Sequence, residues 1–186
     1  MTFKLLNKSE VEKIYNSHMI NDFPENELKP ISSIFEMMDD NSYEPLGIME
    51  EGNLIGYAFN LLLNGTNYIL LDYLAIFNEL RGKALGSKTL SALKKEYPDK
   101  VIFIESENPE FMEEKDVPKK RMKFYQKNGC IDTGIRSEIW GAPYINMYIS
   151  NMDTSLTKSD CMSAITGFYK YMIKNEKLYN EKVKIN

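Results

Sequence analysis

The sequence predicts an α/β (α+β) domain: a mixed, largely antiparallel twisted sheet flanked by helices, with a helical extension at its C-terminal end. Three observations predict it. Three or four strand-like segments follow one another before any helical crossover. A strand, a tight Gly-containing loop and a helix then succeed each other over residues 68 to 97. A second apolar strand, Val101 to Glu105, follows that helix, and a strand reached through a helical crossover lies parallel to the one before it. A doubly wound sheet would instead alternate strand and helix from the start.

Residues 3 to 6 (FKLL) read as the first short strand. Ser9 and Glu12 have the spacing of a capping box. Behind them Val11, Ile14, Tyr15, His18 and Met19 fall at i, i+3, i+4, i+7 and i+8, one face of a helix. His18, on or beside that apolar stripe, reads as a packed residue. A Ser-His-Asp hydrolase would have to use it, and the chain has no G-x-S-x-G elbow for it to serve. Phe23 to Pro30 is a loop bracketed by prolines, and Ile31, Ile34, Phe35 and Met38 resume helical spacing. Leu46–Glu50 and Leu54–Leu63 pair across the turn Glu51-Gly52-Asn53. Asn64-Gly65 then turns the chain into the apolar strand Tyr68–Phe77.

In the helix after the loop, Leu90, Leu93 and Tyr97 share a face, and Pro98 forbids continuation. An acidic loop runs to Pro118, and the helix Lys119–Asn128 is closed by Gly129. Cys130–Trp140 and Ile145–Ser150 finish the sheet as a hairpin. Ile165, Phe168, Tyr169, Met172 and Ile173 mark one more amphipathic helix, with the charge run Lys174–Lys184 as its solvated end. Residues 1–150 thus form the main domain, and 151–186 an extension whose helix either packs on that domain or contributes to a homodimer.

At 186 residues the chain is long enough for one domain with a real core. Its 43% hydrophobic and 27% charged residues are the balance of a soluble globular protein. A formal charge of −4 argues against nucleic-acid binding as the main task. No apolar run is long enough to span a membrane, and no charged-then-apolar leader opens the sequence. Two cysteines, Cys130 and Cys161, are too few for a disulfide framework; reduced thiols in a cytoplasm are the simplest reading. With one histidine and no paired cysteines, a structural zinc site is not expected.

The stretch around which the rest is organised is Arg81-Gly82-Lys83-Ala84-Leu85-Gly86. Strand, tight loop and helix aim several free backbone N–H groups at one point, where the helix dipole adds about half a positive charge. Such a point binds phosphates. It is not a Walker loop, because Gly82-Lys83 is followed by Ala84. It is not a dinucleotide fingerprint, because its two glycines are spaced G-x-x-x-G. It resembles instead the acyl-CoA loop [RQ]-x-x-[GA]-x-[GA] of the GCN5-related N-acetyltransferases (GNAT), with Arg81, Ala84 and Gly86 in those places. Leu74-Ala75-Ile76 resembles the strand end that precedes the loop in that family. The segment R-x-x-F-Y-x-x-x-G at Arg121–Gly129 resembles its second signature, in the same order and at the same distance. Ala84 departs from the commoner glycine, and its Cβ restricts backbone angles and approach.

The resemblance spans about residues 3 to 150 and implies an acetyl-CoA-dependent N-acetyltransferase acting on a primary amine of a small molecule or peptide. It implies that the two parallel strands splay and that the arm of CoA binds along the exposed strand edge. The cofactor residues it implies are Leu74, Ala75, Ile76, Arg81, Gly82, Lys83, Ala84, Leu85, Gly86 and Ser87. Arg81, Lys83 and the loop amides would meet the anionic part of the ligand, and backbone N–H groups near Ile76 would polarise the acyl carbonyl. Tyr125 is implied beside the CoA sulfur, where a protonated phenol can serve as general acid; Met122 shares its helix face, so a packed core aromatic is the other reading. For a base, Glu105 and Glu107 alternate onto one side of a strand end and Asp72 lies on the neighbouring strand. Glu105 is the first choice, although each carboxylate also reads as a solvated or ion-paired group, and the family often uses no fixed base. The acceptor side is expected from residues 20–40, with Asp22, Glu25 and Glu27, and from the 138–146 turn, with Trp140 and Tyr144. From another functional class, the alternative is an acyl-CoA-binding regulatory module that has lost its chemistry.

Overall fold

Strands β1 (Thr2–Leu5), β2 (Tyr43–Glu50), β3 (Asn53–Leu62) and β4 (Tyr68–Ile76) run antiparallel to their neighbours, and β5 (Val101–Glu107) joins β4 in parallel. Strands β6 (Ile131–Ile139), β7 (Ala142–Ser150) and β8 (Val183–Ile185) complete one eight-stranded sheet in the order β1-β2-β3-β4-β5-β7-β6-β8. This computed structural model describes residues 1–152 and 155–186. The expected mixed, mostly antiparallel sheet is what the chain forms.

The sheet buries both faces. Helix α1 (Lys8–Ile14) continues through a π-helical turn, Tyr15–Met19, into the short α2 (Ile20–Asp22). Together with α3 (Ile31–Asp39), it packs over Tyr57, Phe59 and Tyr73. Helices α4 (Leu85–Glu96) and α5 (Asp116–Lys127) cover the other face, where Leu90 and Leu93 meet Ile102, Ile104 and Met147. The alternation of β5 reads out directly: Val101 and Phe103 belong to the first core, Ile102 and Ile104 to the second.

Three local readings are corrected. The first helix is capped by Asn7 with Glu10 as its reciprocal partner, not by Ser9 with Glu12. Asn7-Lys8-Ser9-Glu10 has the same spacing, and an Asn side chain accepts the exposed N–H as well as Ser does. Helix α5 begins at Asp116, so Pro118 sits in its first turn, where a missing N–H costs nothing. Beyond α6 (Lys158–Met172), the charge run is structured: Asn175 caps α7 (Glu176–Lys182), and Val183 and Ile185 flank Lys184 in β8, paired with β6. That alternation was hidden within a run of lysines.

The C-terminal helix shares the main core. Phe168 is fully buried and stands edge-on to Phe103 at 5.7 Å. Truncating such a ring to Ala costs about 3–5 kcal/mol. Among the described residues, no helix is long and apolar enough to cross a membrane, and no cluster of ligating side chains is placed to hold a metal.

Candidate active site

Strands β4 and β5 pair only from Tyr68 opposite Val101 to Leu71 opposite Ile104. The next residue, Asp72, is an extra residue in β4: Phe59 lies opposite Tyr73 while Asn60 lies opposite Leu71. A bulge bends its strand and puts consecutive side chains on one side. Asp72 and Tyr73 accordingly both reach the 24–30 loop, through Lys29 Nζ to Asp72 Oδ1 at 2.7 Å and Lys29 N–H to the Tyr73 hydroxyl at 2.9 Å. Meanwhile β5 stays with β7 as far as Glu107 opposite Tyr144. One parallel strand bends and the other holds its course, so a gap opens between them. Phe77 N–H bonds to the Ile55 carbonyl, on the β3 side. By the alternation of an antiparallel ladder, the backbone groups of Leu74 and Ile76 turn the other way, into the gap.

A cavity of about 1530 Å³ runs through this gap. Leu74, Ala75, Ile76, Arg81, Gly82, Ala84, Leu85, Gly86 and Ser87 all line it; Lys83 does not. Ala84 is the N-cap of α4 in a left-handed conformation (φ 57°), as is Gly82 (φ 84°). The first intrahelical bond runs from Lys88 N–H to the Ala84 carbonyl, which leaves the N–H groups of Leu85, Gly86 and Ser87 without helical partners. A Cβ on Gly86 would stand 3.1 Å from Phe124 Cζ, so glycine there lets the start of α4 approach α5.

Arg81 is engaged otherwise than expected. Its Nε donates to the Ile76 carbonyl at 2.9 Å, and its Nη2 to Asp22 Oδ1 at 2.8 Å. Further positive charge at the cavity comes from Lys120, Lys123 and Lys127, spaced i, i+3 and i+7 on α5. The lysine run was visible in the sequence, but its orientation required the packing of α5.

No protein-family model and no curated protein sequence matches the chain. Solved structures do. A protein assigned to the GNAT acetyltransferase family from Bacteroides thetaiotaomicron superposes with a TM-score of 0.66 at 19% identity, over 97% of each chain. The ribosomal-protein-S18-alanine N-acetyltransferase from Escherichia coli gives 0.60 at 14% identity, over 83% of this chain and 96% of its own. The spermidine N-acetyltransferase from Vibrio cholerae gives 0.59 at 13%, over 81% and 93%. The fold is that of the GCN5-related N-acetyltransferases.

Within this GNAT fold the two candidate proton carriers stand on opposite faces of the sheet. Tyr125, on α5, belongs to the second core and lines the cavity. Burial pushes its phenol up to about 12, against the pull of nearby Arg121. Glu105 continues the first-core side of β5 and lines the same cavity. Its Oε2 accepts from the Tyr169 hydroxyl, while Oε1 is buried without a partner. Burial raises its carboxyl to about 7; the Tyr169 hydrogen bond opposes the rise and the Asp72 carboxylate adds to it.

The other carboxylates considered for a base are accounted for by ion pairs. Glu107 Oε2 holds Arg121 Nη1 at 2.5 Å, and Asp72 holds Lys29 and accepts from the Tyr43 hydroxyl. Lys29 stays charged: burial works against its ammonium, but Asp72 beside it raises the pKa above the ordinary value. Of the residues expected on the acceptor side, Asp22, Glu27, Trp140 and Tyr144 line the cavity and Glu25 does not. Glu27 is raised by burial and by the charge of Glu107. His18 stacks on Phe77 at 4.0 Å, a packing role. The contributions that escaped the sequence are Tyr169 and Tyr171 of α6, which nothing in their local pattern distinguishes from other core aromatics.

Proposed function

We propose that the protein is an N-acetyltransferase that moves an acetyl group from acetyl-CoA to a primary amine of a small molecule or peptide. One observation carries this reading: a continuous cavity joins Tyr125 on one face of the sheet to Glu105 on the other, through the gap between β4 and β5. The fit to acetyl-CoA is supported by the partner-free N–H groups of Leu85, Gly86 and Ser87, by the close approach that Gly86 permits, and by the three lysines of α5. Both cysteines are free, which suits the cytoplasm as the compartment.

In this reading Glu105 takes a proton from the acceptor ammonium, and the freed amine attacks the thioester carbonyl. The carbon–sulfur bond then breaks, and Tyr125 gives its proton to the departing thiolate. The proton that the newly acylated nitrogen sheds returns Tyr125 to its neutral form by way of solvent. A phenol raised to about 12 remains protonated at neutral pH and is ready to donate. A carboxyl near 7 is a base matched to that pH. Alignment of the two substrates across the gap supplies roughly 7–11 kcal/mol.

The test is a thermal melt with acetyl-CoA, followed by thiol release with a panel of amines. Ligand at 100-fold over Kd stabilises by about 2.7 kcal/mol, a shift of roughly 5–10 °C at this size. A shift with amine-dependent thiol release supports the enzyme. A shift with no release from any amine supports the regulatory module, a reading favoured by the commitment of Arg81 to Asp22. Absence of a shift at millimolar ligand overturns both.

A further inference from the structure

Helix α6 contributes no backbone to the gap, yet its last two turns reach the cavity through two tyrosines. The Tyr171 hydroxyl donates to Asp40 Oδ2 and bonds to Ser42, which ties the end of α6 to the end of α3. Tyr169 is 6% exposed and donates to Glu105 Oε2. Glu105 is thereby held through one oxygen, while the other is buried with no partner.

We propose that Tyr169 is the positioning residue for Glu105: it fixes the carboxylate through Oε2 and leaves Oε1 as the oxygen presented to the acceptor amine. The inference rests on the acyl-transfer reading of the cavity. The groups facing Glu105 from the surrounding elements are Tyr169 of α6, Asp72 of β4, Tyr144 of β7, and Lys29 and Glu27 of the 24–30 loop. Asp72 is matched by Lys29, so its charge acts on Glu105 largely as half of a pair. Tyr169 is the hydroxyl that bonds the carboxylate directly. A hydrogen bond to the charged form favours that form. Without it, Glu105 holds its proton more tightly and is a usable base only at higher pH.

The supporting packing would survive loss of the hydroxyl alone, because Phe168 and the rest of the α6 stripe carry the helix. Two readouts on Tyr169→Phe test the role. In the pH profile of kcat/KM, the acidic limb is expected to move up by about one pH unit with KM for acetyl-CoA unchanged. In carboxyl ¹³C NMR, the Glu105 resonance, assigned by its disappearance in Glu105→Gln, is expected to titrate higher by the same amount. A limb and a resonance that stay in place overturn the proposal, whatever happens to the rate. The NMR titration needs no turnover, so a protein that acetylates no amine defeats the enzymatic reading while the titration still decides the positioning. Replacement of Tyr169 by 3-fluorotyrosine, a stronger donor of nearly the same shape, is expected to move the Glu105 titration down. An upward or absent change there also overturns it.

Discussion

Asp22 bridges Arg81 and Tyr57, with Arg81 Nη2 2.8 Å from Oδ1 and the Tyr57 hydroxyl 2.8 Å from Oδ2. The residue that ends α2, next to the 24–30 loop, therefore holds the guanidinium that opens the loop before α4. In the proposed function an anion arriving at that loop would compete with Asp22 for Arg81. In that function the exchange would link the donor end of the cavity to its acceptor end.

Asp22→Asn should release Arg81 for the ligand. Acetyl-CoA affinity, measured by titration calorimetry, is expected to rise by about threefold to tenfold, the scale of a half-exposed ion pair. Weaker binding would mean that the pair preorganises the loop and does not compete with the ligand.

Tyr125→Phe removes the hydroxyl and keeps the ring that packs beside Phe124 at 5.2 Å. Turnover should fall on the order of 10²-fold, the usual range for a lost general acid. The Kd for acetyl-CoA should stay within about twofold, because only transition-state proton transfer is removed. Unchanged turnover would return Tyr125 to a packing role.

Glu105 has a folded pKa of about 7, raised from 4.5 mainly by burial. The folded state therefore holds this proton more tightly than the unfolded state does. The contribution to stability is fully present below pH 4.5 and is lost as pH rises toward 7. By about pH 8 the buried charge costs up to about 3 kcal/mol. Glu105→Gln should accordingly raise Tm at pH 8 while leaving it nearly unchanged at pH 4.5, and should abolish the acidic limb of the rate profile. An equal change in Tm at both pH values would show that Glu105 is not the buried group titrating there.

Ala84 adopts φ 57° at the cap of α4, a conformation that costs an L-residue about 1–2 kcal/mol. Ala84→Gly relieves that strain and removes the Cβ beside the free N–H groups of the loop. The greater freedom of glycine in the unfolded chain offsets about 0.5–1 kcal/mol of the gain. The melting temperature should thus hold or rise by a few degrees, and acetyl-CoA should bind more tightly. A fall in both would show that the methyl group itself makes a contact the loop needs.

Much of the architecture was legible in the chain because it is encoded locally. The apolar run Tyr68–Phe77, the left-handed Gly129 that follows α5, and the stripe Ile165–Ile173 each obey a short-range rule of pattern or turn chemistry. The position of the loop between a strand and a helix, and of Tyr125 on the helix that follows β5, came from order and spacing along the chain. Even the caps were nearly readable, with Asn7 and Ser9 competing on equal terms for one helix start.

What the sequence by itself determined was therefore most of the elements as far as α6, their order, and the strand, loop and helix around Arg81–Gly86. Tertiary structure alone decided which charges remain free for chemistry. Glu105, Glu107 and Asp72 look alike in the chain, and only packing gives Arg121 to the second and Lys29 to the third. Arg81 meets Asp22 across 59 residues, and Tyr169 meets Glu105 across 64. No periodicity reaches that far. Such pairs form when the sheet folds and the bulge at Asp72 opens the gap, because a carboxylate's role depends on what lies within a few ångströms of it and not on its neighbours in sequence.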